Sequence, residues 1–342
     1  MNVNELTRIP GTPRSSFGHV LHADRLYILG GHPGMFHKYD AANFSAEMHV
    51  LDIGLNKWQT LRPLPVPMQG FRVVANGTYL YAFGGFAPDS RIPAKPWPAS
   101  SRDRVLRYSI SSDIWEDIGA MPRRRSSYVC ASLGTKTYLI GGWDATPSEL
   151  GDIRGRFVKP IDVFDVVNER FLPSCLEFQV LRLRRAFSAT IYRGKLVVAG
   201  GLGTEGFMSS DLLADVLAYE PPSAECDPDP NAPAGRYLQG SWTQLPFLST
   251  PLFSPGVGVR SADLLIAGGV EPLLQPYSGL SSAKLFLLKS GASSWEQLPV
   301  QMSEARSFVE VQELATGSVA LIGGHHGMEA DALPSNLIEV LS

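Results

Sequence analysis

The sequence predicts an all-β protein, a six-bladed β-propeller with four-stranded blades, on three observations. An apolar run ending in Gly-Gly recurs six times. Each recurrence pairs two β-like runs through turn residues, and an aromatic-led run closes five of the periods. At 342 residues the chain exceeds a typical single-core domain, but propellers hold that length in one unit. The whole chain, 1–342, therefore reads as a single β-propeller domain.

The glycine pairs are Gly30-Gly31, Gly84-Gly85, Gly141-Gly142, Gly200-Gly201, Gly268-Gly269 and Gly323-Gly324. By subtraction of the first members they lie 54, 57, 59, 68 and 55 residues apart. An aromatic stands 13 residues upstream of the first glycine in four repeats, as Phe17, Phe71, Tyr128 and Phe187, and Phe308 is read as its counterpart in the sixth. Between aromatic and glycines, Asn76-Gly77, Gly134-Thr135, Arg193-Gly194 and Thr316-Gly317 supply hairpin turns. Downstream, a third run such as Val105-Leu106-Arg107-Tyr108 precedes a fourth, opened by Trp58, Trp115, Trp242 or Trp295, with Phe171 in the third blade. A meander of this kind cannot bury both faces alone; radial stacking buries them between neighbours.

The doublets with the later tryptophan resemble the kelch-repeat family over essentially the whole length, whose blades have a period of roughly 50 residues. The blades fall at about 14–63, 68–122, 125–177, 184–247, 253–299 and 305–342. Only 18 residues follow Gly324, enough for one strand at Asn336–Leu341, so the sixth blade lacks its outer strand. Residues 3–10 are predicted to supply it and close the ring. A Pro-rich insert at 220–235 interrupts the fourth blade and reads as a surface loop, with a partner-binding role as the alternative.

A formal net charge of −3 with interspersed signs gives no field to attract nucleic acid or an anionic membrane. Cys130, Cys175 and Cys226 are too few and scattered for a disulfide framework or zinc cluster, which points to a reducing compartment. The N-terminus lacks a basic leader and apolar core, and no apolar run reaches the roughly 18 residues of a membrane span, so a cytoplasmic protein is expected. The oligomeric state is open, leaning to a monomer.

Loops after the second strand and before the first strand of each blade gather on one face of a propeller, where binding is expected. Four of the seven histidines fall in two of these loops, His32 with His37 and His325 with His326, and ring closure makes those loops neighbours. With Asp40, Glu329 and Asp331 nearby in sequence, they are candidates for a divalent metal or an acid–base pair. The alternative is plain hydrogen-bonding histidines, since adjacent His325 and His326 diverge and the set matches no standard motif; no cofactor is otherwise predicted. His19, His22 and His49 are read as structural and Cys130 as a small core residue.

Arginines precede the first strands, as Arg14, Arg123-Arg124-Arg125, Arg182, Arg184-Arg185 and Arg306. Their forks suit a carboxylate or phosphate, with pairing to neighbouring acids as the alternative. Trp143, Asp144, Glu205 and Glu271 complete a mixed polar rim, and any of these acids or His32 or His326 is a candidate base.

The kelch resemblance implies a binding scaffold for a protein segment or an anionic small molecule, since arginines in comparable loops of kelch adaptors bind acidic motifs. No appended BTB or F-box domain is read in the chain. The alternative it implies is a stand-alone kelch-fold enzyme, epimerase-like or metal-assisted, acting at the central pocket. The Glu-x3-Asp-x3-His iron pattern of the specifier proteins is not found.

Overall fold

A computed structural model describes the chain except residues 36–37, 92–97, 147–154, 173–175, 178–182, 204–211, 222–239, 273–278 and 328–331. The predicted insert falls largely outside the described residues, as do Cys175 and Cys226. Six antiparallel sheets form the propeller. In the first blade the order is Gly18–His22, Arg25–Leu29, Met48–Asp52 and Lys57–Thr60 from axis to rim. The other first strands are Arg72–Asn76, Val129–Leu133, Ser188–Tyr192, Gly256–Arg260 and Glu310–Glu313.

The second and third strands carry the core. Arg25–Leu29 and Met48–Asp52 are buried on both faces, because each sheet is covered by a blade on either side. Tight turns connect the first two strands, and the predicted turn residues take positive φ: Gly77 at 56°, Gly134 at 60° and Gly317 at 78°.

The ring closes as predicted. Val3–Arg8 pairs antiparallel with Pro334–Leu341 as the outermost strand of the sixth blade, from Val3 opposite Leu341 to Arg8 opposite Leu337. Beyond the strands, Asn2 and Ser342 exchange two backbone hydrogen bonds of 3.2 and 3.0 Å.

The glycine pair is required by the neighbouring blade. Gly30 has φ of 63°, and a Cβ there would lie 2.7 Å from the ring of Phe71 in the next blade. A Cβ on Gly323 would likewise meet Phe17 at 2.7 Å and one on Gly141 Phe187 at 2.9 Å, so these aromatics seat on the previous blade's first glycine. Phe17, Phe71, Tyr128 and Phe187 are at most 1% exposed, and burying such a ring contributes about 1.5–3 kcal/mol. The second glycine N–H donates to the backbone of the following blade, as Gly31 to Met68 O at 2.8 Å and Gly142 to Arg184 O at 3.1 Å.

Phe308 is not the sixth aromatic. Val309 stands beside Gly324 as Phe17 stands beside Gly31, and Pro255 fills the same place in the fifth blade. Phe308 sits one position earlier with φ of 54°, equivalent to Ser16, Gly70, Ser127, Ala186 and Ser254, all of positive φ. These residues form a belt around the axis: Gly70 donates to Ser16, Ser127 to Gly70, Ala186 to Ser127, Ser254 to Ala186 and Phe308 to Ser254, each at 2.8–3.0 Å. Five members are small, and the sixth, Phe308, packs its ring edge-on against Phe253 at 5.5 Å.

Three tryptophans at the fourth strands tie their rims to the blade before. Trp58 donates to Thr7 Oγ1 in the closing strand at 3.2 Å, Trp115 to Arg62 O at 3.2 Å and Trp295 to Pro246 O at 2.8 Å.

Candidate functional site

Above the belt, two sets of equivalent positions face each other as bridges: Ser15 with His32, Gln69 with Phe86, Ser126 with Trp143, Arg185 with Leu202, Phe253 with Val270 and Ser307 with His325. The second set directly follows the glycine pairs, so His32 and His325 are the same position in adjoining blades. This is why ring closure brings them together.

Within the first set, Ser15, Gln69, Ser126, Phe253 and Ser307 are buried, and Arg185 keeps part of its surface in water. Its guanidinium lies over the Trp143 ring, 4.5 Å from the centroid, a stacked cation. Trp143 meets Phe157 edge-on at 4.6 Å. From the first blade, Tyr39 packs on Phe86 at 5.3 Å and lies 5.6 Å from His32. Burial pushes the Tyr39 hydroxyl up to about 12, and the Arg185 cation works against that rise. Three blades thus contribute two aromatic pairs to this face, Tyr39–Phe86 and Trp143–Phe157, with the Arg185 guanidinium over the second.

The four arginines expected on this face lie inside the blades. Arg14, Arg125, Arg184 and Arg306 are at most 1% exposed. Each donates to the carbonyl of the first glycine of its own blade, at 2.8 Å to Gly30, 3.3 Å to Gly141, 3.1 Å to Gly200 and 2.7 Å to Gly323. Each also pairs with an acid of the third strand or its approach: Glu47, Asp162, Asp215 and Glu339. Their forks are occupied by the backbone turn that the glycine pair creates, which corrects the expectation that they point to ligand. Arg123 joins Arg125 on Asp162, and Arg124 lies 3.8 Å from Asp103. Arg182 lies outside the described residues.

The histidines divide. His32 is buried, with Nδ1 2.8 Å from Asn43 O and Nε2 2.9 Å from Met35 O, so its ring staples its own loop. His325 is fully buried with Nδ1 2.7 Å from Gly327 O, beside Gly34 and His32 of the first blade, and burial holds its pKa below the usual range. His326 turns outward, 3.6 Å from Glu304. No group of three His, Cys, Asp or Glu suited to a metal ion occurs among the described residues. His37, Glu329, Asp331 and Glu205 lie outside them.

The remaining acids have structural partners. Glu271 Oε1 accepts from Lys284 Nζ at 2.9 Å. Asp144 accepts from the Thr146 N–H at 3.0 Å and its hydroxyl at 2.6 Å. Neither has a histidine partner among the described hydrogen bonds.

The axis itself carries an ion pair that the sequence did not single out. Below the belt lies a cavity of about 450 Å³ lined by the first strands, His19, Arg72, Cys130 and Glu310 among its walls. Arg72 and Glu310 are 238 residues apart and meet at 2.7 Å, a pairing that no local signal announces.

Repeat, closed ring and loop face together define a six-bladed β-propeller whose repeats resemble those of kelch proteins. The sequence comparisons agree with that class and single out no particular member. No family model matches the chain. It is 25% identical over 180 residues to Kelch-like protein 34 of Homo sapiens, covering 50% of this chain and 26% of that one. It is 29% identical over 211 residues to Kelch repeat and BTB domain-containing protein 12 of Danio rerio, covering 58% and 32%. Kelch domain-containing protein 10 of Xenopus laevis matches at 25% over 141 residues, covering 37% and 30%. The chain thus spans about a third or less of these curated relatives. The solved structure of YjhT superposes with a TM-score of 0.72 at 15% identity, over 98% of this chain and 99% of that one, a likeness of fold. No helix among the described residues is long and apolar enough to cross a membrane.

Proposed function

We propose that the chain is a binding scaffold whose loop-bearing face recognises an acidic protein segment at the Tyr39–Trp143–Arg185 patch. The observation that carries this reading is Arg185: five equivalent positions around the axis are buried, and the one that reaches water is a guanidinium stacked on tryptophan. Stacking presets the planar guanidinium, so less side-chain entropy is lost when a carboxylate approaches it. The aromatic pairs add area for the apolar flank of a peptide, as at interface hot spots rich in Trp, Tyr and Arg. The kelch relatives support a binding scaffold.

The test is selection from a displayed library of peptides of varied charge. Wild-type protein should enrich Asp- and Glu-containing sequences, and Arg185→Ala and Trp143→Ala should each weaken binding of the selected peptides about tenfold or more, the scale of one hot-spot contact. Enrichment without acidic bias, or binding indifferent to both substitutions, overturns the reading.

A further inference from the structure

The cavity below the belt is separate from the loop face. Its walls run from Arg72, Ser188 and Glu310, next to the belt, to His22, Ala75, Ser132 and Gln312, next to the hairpin turns of the opposite face. At about 450 Å³ it falls within the usual range for small-molecule sites. Most of the lining is Val, Ala, Leu, Ile, Ser or Thr from the first strands. The titratable side chains on it are His19, His22, Arg72, Cys130 and Glu310.

Arg72 and Glu310 belong to the second and sixth blades, so their ion pair reaches across the inner strand of the first blade, next to His19. Arg72 Nε donates to Tyr128 O at 2.7 Å and Nη1 to Glu310 Oε1 at 2.7 Å. Its Nη2 makes no hydrogen bond to a described residue, and Glu310 Oε2 has only His19 Nδ1, at 3.7 Å. The two side chains are 22% and 17% exposed, and both line this cavity as well as the smaller space at the belt above it. Burial lowers the pKa of His19 and pushes the Cys130 thiol up to about 12, so both are neutral near pH 7. The Arg72–Glu310 wall therefore carries one positive and one negative charge side by side.

A fixed dipole with no net charge, in a setting less polar than water, discriminates among small ligands by charge pattern. A simple anion satisfies Arg72 and meets Glu310 as a like charge; a simple cation does the reverse. A zwitterion laid antiparallel to the pair satisfies both, giving each charge a charge-assisted hydrogen bond without breaking the existing one. We propose that this axial cavity binds a small zwitterion of the amino-acid class, its carboxylate on Arg72 and its ammonium on Glu310. The apolar strand residues around the pair, Val20, Val73 and Val311 among them, receive the ligand's side chain.

The experiment is calorimetric titration of the full chain with individual free amino acids. Propionate and propylamine serve as analogues carrying one charge each. At least one amino acid should bind saturably and at least tenfold tighter than either analogue. Arg72→Met and Glu310→Gln should each weaken that binding tenfold or more, while Arg185→Ala on the loop face leaves it unchanged. The proposal falls if no amino acid saturates, if a singly charged analogue binds as well, or if both cavity variants bind like wild type. The comparison of ligands on the wild-type chain needs no variant, so a substitution that prevents folding does not shelter the idea.

Discussion

At the scale of single residues, position and role separate clearly at the arginines. Their placement before each first strand is plain in the sequence, but their acids stand 17, 21, 15 and 16 residues after the first glycine, by subtraction for Glu47, Asp162, Asp215 and Glu339. That irregular offset hides the pairing, and the guanidinium turns inward because a buried turn of carbonyls and a carboxylate await it. Truncating such an arginine strands a buried acid. Arg306→Ala is therefore expected to destabilise the fold by about 3–5 kcal/mol in a denaturant titration. Met68 and Leu252 hold the equivalent place in two blades, so the position accepts an apolar side chain where no acid opposes it. The histidines set a second expectation. Burial lowers the pKa of His19, His49 and His325 below 6.5, so the unfolded chain binds more protons as the pH falls through that value. Stability is then greatest above pH 6.5 and declines toward the lower folded-state values. Urea midpoints should drop between pH 7.5 and 5.5, and His325→Asn should flatten part of that slope.

At the scale of elements, the strands were the most legible part. Apolar runs, turn residues and glycine pairs are all local, and each is dictated by contacts within one blade or with the next. Phe308 shows where local spacing misleads. One extra residue in the sixth hairpin shifts the count, and only the register of Glu310–Glu313 against Val319–His325 reveals that Val309 holds the aromatic's place. The closing strand was legible because the sixth blade ran out of chain. Its pairing with Pro334–Leu341 and the Trp58–Thr7 hydrogen bond connect the first and sixth blades. Deleting residues 1–11 should leave the rim of the sixth blade open and lower the melting temperature sharply; an unchanged melting curve would contradict the role of this strand.

At the scale of the whole molecule, the sequence could count blades but not say which side chains the ring gathers at its centre. The loop-face patch draws Tyr39, Trp143 and Arg185 from the first, third and fourth blades, and the axial pair draws from the second and sixth. Such groupings follow from six-fold geometry, in which residues a hundred or more positions apart share one axis. Of the histidine cluster, the neighbourhood of His32 and His325 was readable from closure; their inward roles were not, because burial depends on the loops packed above them.

The meeting of Asn2 and Ser342 makes the backbone very nearly a circle. Where the ring is cut is then separable from how it is built. With its ends joined, the same six blades accept new termini at an exposed hairpin such as that of Gly134, and the seam passes to another blade. Residues 2 and 342 meet at the rim on the hairpin-turn side, so anything tethered there leaves the loop face unobstructed.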